Sequence, residues 1–476
     1  MSYANYIDGT WREGASTAPN INPSDLSDVI GDFARADAAQ AEEAIAAAAA
    51  AQPGWAGLSP GDRFAVLDRA GDELQARADE LGELLAREEG KTRMEGTAEV
   101  KRASQILKFH AGETLRNPGE MLPSVRPGVE VLVSREPVGV VSIITPWNFP
   151  IAIPAWKIAP ALAHGNSVVF KPADLVPASA WHLVDILNRA GLPAGVLNLV
   201  MGRGRDIGDI LVGDPRIDAV SFTGSVDTGH RVLATAQAHG ARVQLEMGGK
   251  NPLVICDDAD LDAAVAGARE GAFGSTGQRC TASSRLIVTA GVHDAFVDRL
   301  SKAVSDIMVG HALDAETEIG PVVDESQLAQ DLHYIELARQ QGATLVGGQL
   351  VEGRTKGHYL RPALALDTQS ADTINREEVF GPVASVIRVD DLDEAIAVAN
   401  DTEFGLTSGI YTTSLSAATR FRHQSTAGMV MVNLPTAGVD YHVPFGGRRG
   451  SSYGPREQGR GARDFYTTTK TAYVAG

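Results

Sequence analysis

The chain has 476 residues, 44% of them hydrophobic and 21% charged, a composition that supports two or three packed domains and excludes a disordered or fibrous chain. Its formal net charge of −18, with no dense Lys/Arg block, sets most of the surface against a polyanion, so nucleic acid is not an expected partner. There are only two cysteines, Cys256 and Cys280. That is too few for a secreted disulfide scaffold, and both read as free thiols in a reducing compartment.

Met1 to Gly9 lack the basic-then-apolar pattern of a signal peptide. No stretch approaches the roughly 20 apolar residues of a membrane span, and the C-terminus carries no lipidation signal. A soluble, cytoplasmic protein is expected. From Glu42 to Ala51 an alanine-rich run leads through Pro53 and Gly54 into a pattern with Leu67, Leu74, Leu81 and Leu84 at helical spacing. Val131 to Val133 and Val138 to Ile144 read as strands, the second ended by Pro146. Three more strand candidates follow, Ser167 to Phe170, Val196 to Val200 and Ala219 to Phe222, each leading through a turn into a helix. Short β-branched strands separated by helices predict a parallel sheet covered on both faces. Ligands on such sheets bind at the carboxyl ends of the strands. Beyond Leu253 to Ile255 the alternation resumes until about Ile410. From Pro444 to Gly454 the chain is too glycine-rich for regular structure, and Phe465 to Val474 predicts a terminal strand.

Several residues have the character of chemistry rather than packing. Cys280 sits among Gly277, Gln278, Arg279 and Thr281. These are poor neighbours for a core position, and Arg279 with nearby amides is expected to favour the reactive thiolate. Cys256 ends an apolar run and reads as structural. Glu246 precedes Met247-Gly248-Gly249, glycines that let backbone approach closely and allow a mobile carboxylate able to activate a thiol or a water. Asn148 stands between Pro146 and Pro150, a rigid frame suited either to a turn or to a fixed amide donor for an oxyanion. Phe222-Thr223-Gly224-Ser225 opens a helix whose N-terminal amides suit a pyrophosphate, although the three-glycine fingerprint is absent. No Cys/His cluster has metal-ligand spacing.

Pro146-Trp147-Asn148-Phe149-Pro150, Leu245-Glu246-Met247-Gly248-Gly249-Lys250, Gly277-Gln278-Arg279-Cys280, Glu377-Glu378-Val379-Phe380-Gly381-Pro382 and Pro444-Phe445-Gly446-Gly447 follow one another along the chain. Together they resemble the aldehyde dehydrogenase superfamily over nearly the whole length. The resemblance implies an α/β fold with an open parallel-sheet cofactor domain at 1–117 and 137–247 and an α/β catalytic domain at 248–446. A small β oligomerisation arm, at 118–136 and 460–476, would build a homodimer or homotetramer. It implies Cys280 as the nucleophile, Asn148 with the Cys280 amide as the oxyanion holder, Glu246 as the base for water, and Lys157 with Glu457 as a proton relay. Trp147, Lys171, Gly224, Ser225, Glu378 and Phe380 match cofactor contacts. Asp174 matches the position at which NAD-preferring relatives carry glutamate. A carboxylate there accepts from a ribose 2′-hydroxyl and repels a 2′-phosphate, so NAD is expected, with NADP use left open.

The segments from Val432 to Pro444 and from Gly450 to Gly459 resemble the branch that oxidises α-ketoglutaric semialdehyde (2,5-dioxovalerate). Succinic semialdehyde relatives often place arginine where this chain has Trp156, so Arg279 or Arg102 would have to meet a substrate carboxylate. Succinic semialdehyde or a neutral sugar-derived aldehyde is the alternative substrate, and a non-catalytic protein on the same scaffold the alternative class. Glu246 speaks against a CoA-acylating relative. A cysteine hydrolase would need a histidine in a matching motif beside Cys280, and none of the 11 histidines has one.

Overall fold

Strands Val140–Ile144, Ser167–Lys171, Leu197–Leu199 and Ala219–Thr223 form where the apolar runs predict them and, together with Arg242–Glu246, pair in parallel. Their side chains alternate between two cores. Val141, Ile143, Val168 and Phe170 pack on one face, and Val140, Val169, Val220 and Phe222 on the other. Burial on both faces explains why these strands are almost wholly apolar. The computed structural model describes residues 2–116 and 119–476. Positions 1, 117 and 118, each a limit of an expected domain, lie outside the described residues.

Antiparallel strands close the edges of this eight-stranded sheet. Asn5–Ile7 and Thr10–Arg12 lie beyond Leu197–Leu199, and Ser452–Tyr453 lies beyond Arg242–Glu246. The last pair corrects the expectation that the glycine-rich stretch from Pro444 to Gly454 lacks regular structure. The two-residue strand forms there by pairing with Arg242–Glu246, a 3₁₀ turn at Arg449–Ser451 leads into it, and Phe445 bridges to Glu457.

The second sheet has seven strands in the order Thr344–Gly347, Ala363–Leu366, Val383–Val389, Arg285–Thr289, Pro252–Ile255, Thr407–Tyr411 and Met429–Val432. All neighbours are parallel except the first pair. Cys256 follows Pro252–Ile255 and is packed among Ile287, Ile387 and Phe421, as a structural cysteine should be. A three-stranded antiparallel sheet joins Thr467–Ala475, Val129–Pro137 and Glu120–Pro123. A fourth sheet, Ser2–Tyr3, Asp25–Arg35 and Ser16–Asn22, comes from N-terminal residues in which no strand was expected.

Two helices matter most for the site. Every residue of Ala152–Ala163 is buried, Trp156 and Lys157 included. Arg93–Thr114 begins with a capping box, in which Thr92 accepts from the Glu95 N–H and Glu95 accepts from the Thr92 N–H. Among the described residues no helix is long and apolar enough to cross a membrane.

Candidate active site

The register aligns Ile144 with Phe222 and Lys171, and Thr223 with Glu246. The turns carrying Asn148, Lys171, Gly224 and Glu246 therefore leave one carboxyl edge, where ligands of such sheets bind. Cys280 arrives from the second sheet, on the connection between helix Leu261–Phe273 and strand Arg285–Thr289. In that connection Ser275, Thr276 and Gly277 hold φ of 50°, 57° and 65°, a left-handed run costly for a β-branched threonine. Hydrogen bonds from outside hold it. The Ser275 N–H and Oγ donate to Glu95 at 2.8 and 2.9 Å, and Asn251 Nδ2 donates to the Cys280 carbonyl at 2.7 Å.

Cys280 borders two cavities. One, of about 340 Å³, is lined by Lys91, Glu99, Arg102, Phe149, Trp156 and Phe445 among others. The other, of about 250 Å³, is lined by Trp147, Asn148, Gly224, Ser225, Glu378 and Phe380. Only Ile153 and Cys280 belong to both linings, so the thiol can meet a molecule entering from either side. Lys171 lines a third, smaller pocket of about 50 Å³ with Gly204, Phe222 and Thr228. Asp174 is exposed and lines none of the three.

Burial pushes the Cys280 thiol up to about 12, and the carboxylates of Glu378 and Glu246 add to the rise. This corrects the expected thiolate. The Arg279 guanidinium is turned to Glu270 at 3.1 Å and Glu95 at 3.3 Å, so its charge is already met by two acids, one of them far away in sequence. At neutral pH Cys280 therefore rests as a neutral thiol, and any attack by it would need a proton acceptor.

Glu246 is buried, and its carboxylate accepts from Ser452 Oγ at 2.5 Å. It lines neither large cavity in this conformation. Burial holds its carboxyl well above the usual range, and Glu457 adds to this. Lys157 Nζ is ion-paired with Glu457 and donates to Ser221 Oγ at 2.9 Å, which in turn donates to Gln244 Oε1 at 2.9 Å. Sequence reasoning missed Ser452, Ser221 and Gln244. Its one available signal was a serine and a glutamine facing inward on otherwise apolar central strands.

The Gly248-Gly249 pair has a visible cause. The Gly249 N–H donates to Glu378 Oε1 at 2.8 Å, and a Cβ on Gly248 would stand 2.0 Å from Glu378 Oε2. Phe380, at φ 62°, meets Trp147 edge-on with ring centroids 5.4 Å apart.

Asn148 is buried and spends one amide hydrogen on the Gln278 carbonyl at 2.9 Å. The second stays available, since the group carries two donors. The main-chain carbonyl of Asn148 accepts from Lys91 Nζ at 2.7 Å, and Lys91 is also paired with Glu99 at 2.7 Å. Glu99 in turn accepts from the N–H groups of Ile151 and Ala152 at 3.0 and 3.1 Å. Lys91 and Glu99, which the sequence reading did not identify, thus fix the whole 148–152 turn. Lys91→Met is expected to cost about 3–5 kcal/mol of stability, because it leaves Glu99 buried without its cation. The double variant Lys91→Met/Glu99→Gln should recover much of this in chemical denaturation. A double variant as unstable as the single one would remove the ion pair as the cause.

Trp156 and Arg102 both line the larger of the two cavities, and Arg102 donates to Gln458 Oε1 at 3.3 Å. Arg279 lines the same cavity with its charge already paired.

Residues 11–472 match the model of the aldehyde dehydrogenase family. The chain is 44% identical over 475 residues to the α-ketoglutarate semialdehyde dehydrogenase of Haloferax volcanii, covering 98% of each chain. It is 41% identical over 478 residues to the α-ketoglutaric semialdehyde dehydrogenase of Bacillus subtilis, covering 99% of this chain and 98% of that one. Among solved structures, it superposes on a betaine aldehyde dehydrogenase from Staphylococcus aureus in complex with NAD+ with a TM-score of 0.96. That pair is 33% identical, covering 100% of this chain and 95% of the other.

Proposed function

The chain belongs to the aldehyde dehydrogenase family, and from that premise we propose that it oxidises α-ketoglutaric semialdehyde to the corresponding dicarboxylate with NAD. The observation that carries the reading is Cys280 at the wall shared by two cavities, one for each reactant. The relatives named for this substrate supply its identity.

The cleft residues fit a dinucleotide. Trp147, Gly224, Ser225, Glu378 and Phe380 form a polar and aromatic groove ending at Cys280. Ser225 precedes helix Val226–Gln237, whose first amides suit a pyrophosphate. Lys171 lines the adjoining pocket. NAD, when bound, accepts the hydride that leaves the substrate carbon. Cys280 attacks the aldehyde carbon and gives up its proton to a neighbouring carboxylate, and the free Asn148 N–H and the Cys280 amide hold the oxyanion. After oxidation the carbon is a thioester on Cys280. Glu246 then leaves Ser452, turns toward that thioester and takes a proton from water, whose oxygen bonds to the acyl carbon as the C–S bond breaks, releasing the acid and the Cys280 thiolate. The Lys157–Glu457 pair, with Ser221, carries that proton away.

The test compares kcat/KM with NAD for α-ketoglutaric semialdehyde, succinic semialdehyde, pentanal and betaine aldehyde. A preference of at least tenfold for the keto acid is expected. Equal use of pentanal or of the cationic aldehyde would sink the substrate assignment. On the cofactor side, Asp174→Ser should raise the NADP/NAD ratio of kcat/KM about tenfold, since one nearby charge across a partly screened gap is worth about 1 kcal/mol or more. An unchanged ratio would take Asp174 out of that role.

The same reading assigns 1–117 and 137–247 to cofactor binding, 248–446 to catalysis, and 118–136 with 460–476 to an arm. The three-stranded sheet exposes Met121, Leu122, Leu132 and Tyr473, an apolar surface suited to a second copy. Sedimentation as a homodimer or homotetramer is expected, and a monomer would count against it.

A further inference from the structure

Three cations line the cavity between Phe149 and Phe445, namely Lys91, Arg102 and Arg279, against two carboxylates, Glu95 and Glu99. Lys91 pairs with Glu99 at 2.7 Å and Arg279 with Glu95 at 3.3 Å. Arg102 is thus the one cation of this lining without an ion-pair partner among the described residues, with Glu99 and Asp440 acting on it only at longer range. Three buried donors on its walls also lack acceptors, Arg102 Nε, Trp156 Nε1 and Arg279 Nε. A buried N–H without an acceptor is costly, and a ligand that brings oxygen removes that cost.

Gln458 explains how the guanidinium is held. It is fully buried, and its Oε1 accepts from the far end of Arg102 at 3.3 Å, leaving Nε free. The neighbouring Glu457 belongs to the pair with Lys157, so one short segment braces both the relay and the arginine. Trp156 is one residue before Lys157 on the buried helix Ala152–Ala163, and its ring is packed against Phe445 with centroids 5.4 Å apart.

We propose that Arg102 and Trp156 form a carboxylate subsite, positioned by Gln458, that holds the anionic end of an ω-oxo acid while its aldehyde faces Cys280. This rests on the proposed substrate reading, and it assigns to this chain's own residues the charge that Trp156 does not supply. Desolvation already disfavours the Arg102 cation, and an arriving carboxylate relieves it with a charge-assisted hydrogen bond. Arg279 also keeps a free Nε, but its charge is already met by Glu95 and Glu270, which a second carboxylate would have to displace or oppose.

The experiment uses the full-length enzyme and two readouts. The first is the ratio of kcat/KM for α-ketoglutaric semialdehyde to that for pentanal. Arg102→Leu should lower this ratio about 10²-fold, mainly through KM, and Arg102→Lys should restore about a tenth of it. The second is competitive inhibition of pentanal oxidation by glutarate, which carries carboxylates but no aldehyde. Its inhibition constant should rise about 10²-fold in Arg102→Leu and more modestly in Trp156→Phe and Gln458→Leu. If the wild type shows no preference for the keto acid but glutarate inhibition still depends on Arg102, the subsite stands and the substrate reading fails. If both substrates lose efficiency equally and glutarate inhibition is unchanged in Arg102→Leu, the subsite is overturned whatever the substrate.

Discussion

Cys280→Ala is expected to lower aldehyde oxidation by about 10⁴-fold or more, the scale on which deleting a covalent nucleophile acts, while NAD still binds. The two outcomes separate because of where the thiol sits. Cys280 contributes one atom group to a cleft whose other walls, Trp147, Gly224, Glu378 and Phe380, are untouched by the change. The strained run Ser275–Thr276–Gly277 before it is held by Glu95 and not by the thiol. Alanine should leave that loop in place. Cys256→Ala is the matched control, because Cys256 packs among Ile287, Ile387 and Phe421 in the core of the second sheet. Turnover close to wild type is expected for it, with some loss of thermal stability. Stopped-flow NADH formation and cofactor titration decide the matter. Retained turnover in Cys280→Ala would remove the thioester route altogether.

What the sequence disclosed and what it hid divide along range. Four of the five parallel strands were legible because each buries both faces and so shows as a mostly apolar run ended by a turn, whereas Arg242–Glu246, with Gln244 between its apolar residues, does not. Cys280, Glu246 and Asn148 stood out because their neighbours are wrong for a core. The three-residue pieces Asn5–Ile7 and Thr10–Arg12 carry no such pattern, since they exist only as edges laid on strands formed far along the chain. The charge on Cys280 was misread for the same reason. Adjacency placed Arg279 beside the thiol, whereas Glu95 lies 184 positions away on a helix whose approach no local signal predicts. Lys91 and Glu99 were overlooked as ordinary members of a charged helix. Only the fold shows that both are buried and bonded to the turn that carries Asn148.

Glu246→Gln is expected to give a rapid burst of NADH and then almost no further turnover, with the steady state reduced by about 10²–10⁴-fold, the range for loss of a general base. The geometry supports a split between the two half-reactions. Glu246 lines neither large cavity at rest and is bonded to Ser452 beside the Lys157–Glu457 pair, so attack and oxidation can proceed with an amide there, whereas hydrolysis lacks its base. The pH dependence carries a second, independent sign. Burial raises the Glu246 carboxyl in the folded state. Water activation therefore grows as pH rises through that raised value, and wild-type steady-state turnover should climb over this range while the burst rate follows its own profile. For stability the direction reverses. Between the ordinary carboxylate value and the raised one the folded chain binds more protons at this site than the unfolded chain, so this group's contribution falls as pH rises. Glutamine has no proton to lose and escapes that penalty. At pH 8 the variant should therefore melt at a higher temperature than the wild type, with the difference vanishing near pH 4. An enzyme that loses steady-state turnover and stability together at pH 8 would show Glu246 to be a structural carboxylate whose removal damages the site. Lost turnover with gained stability is the signature of a base kept buried for its chemistry.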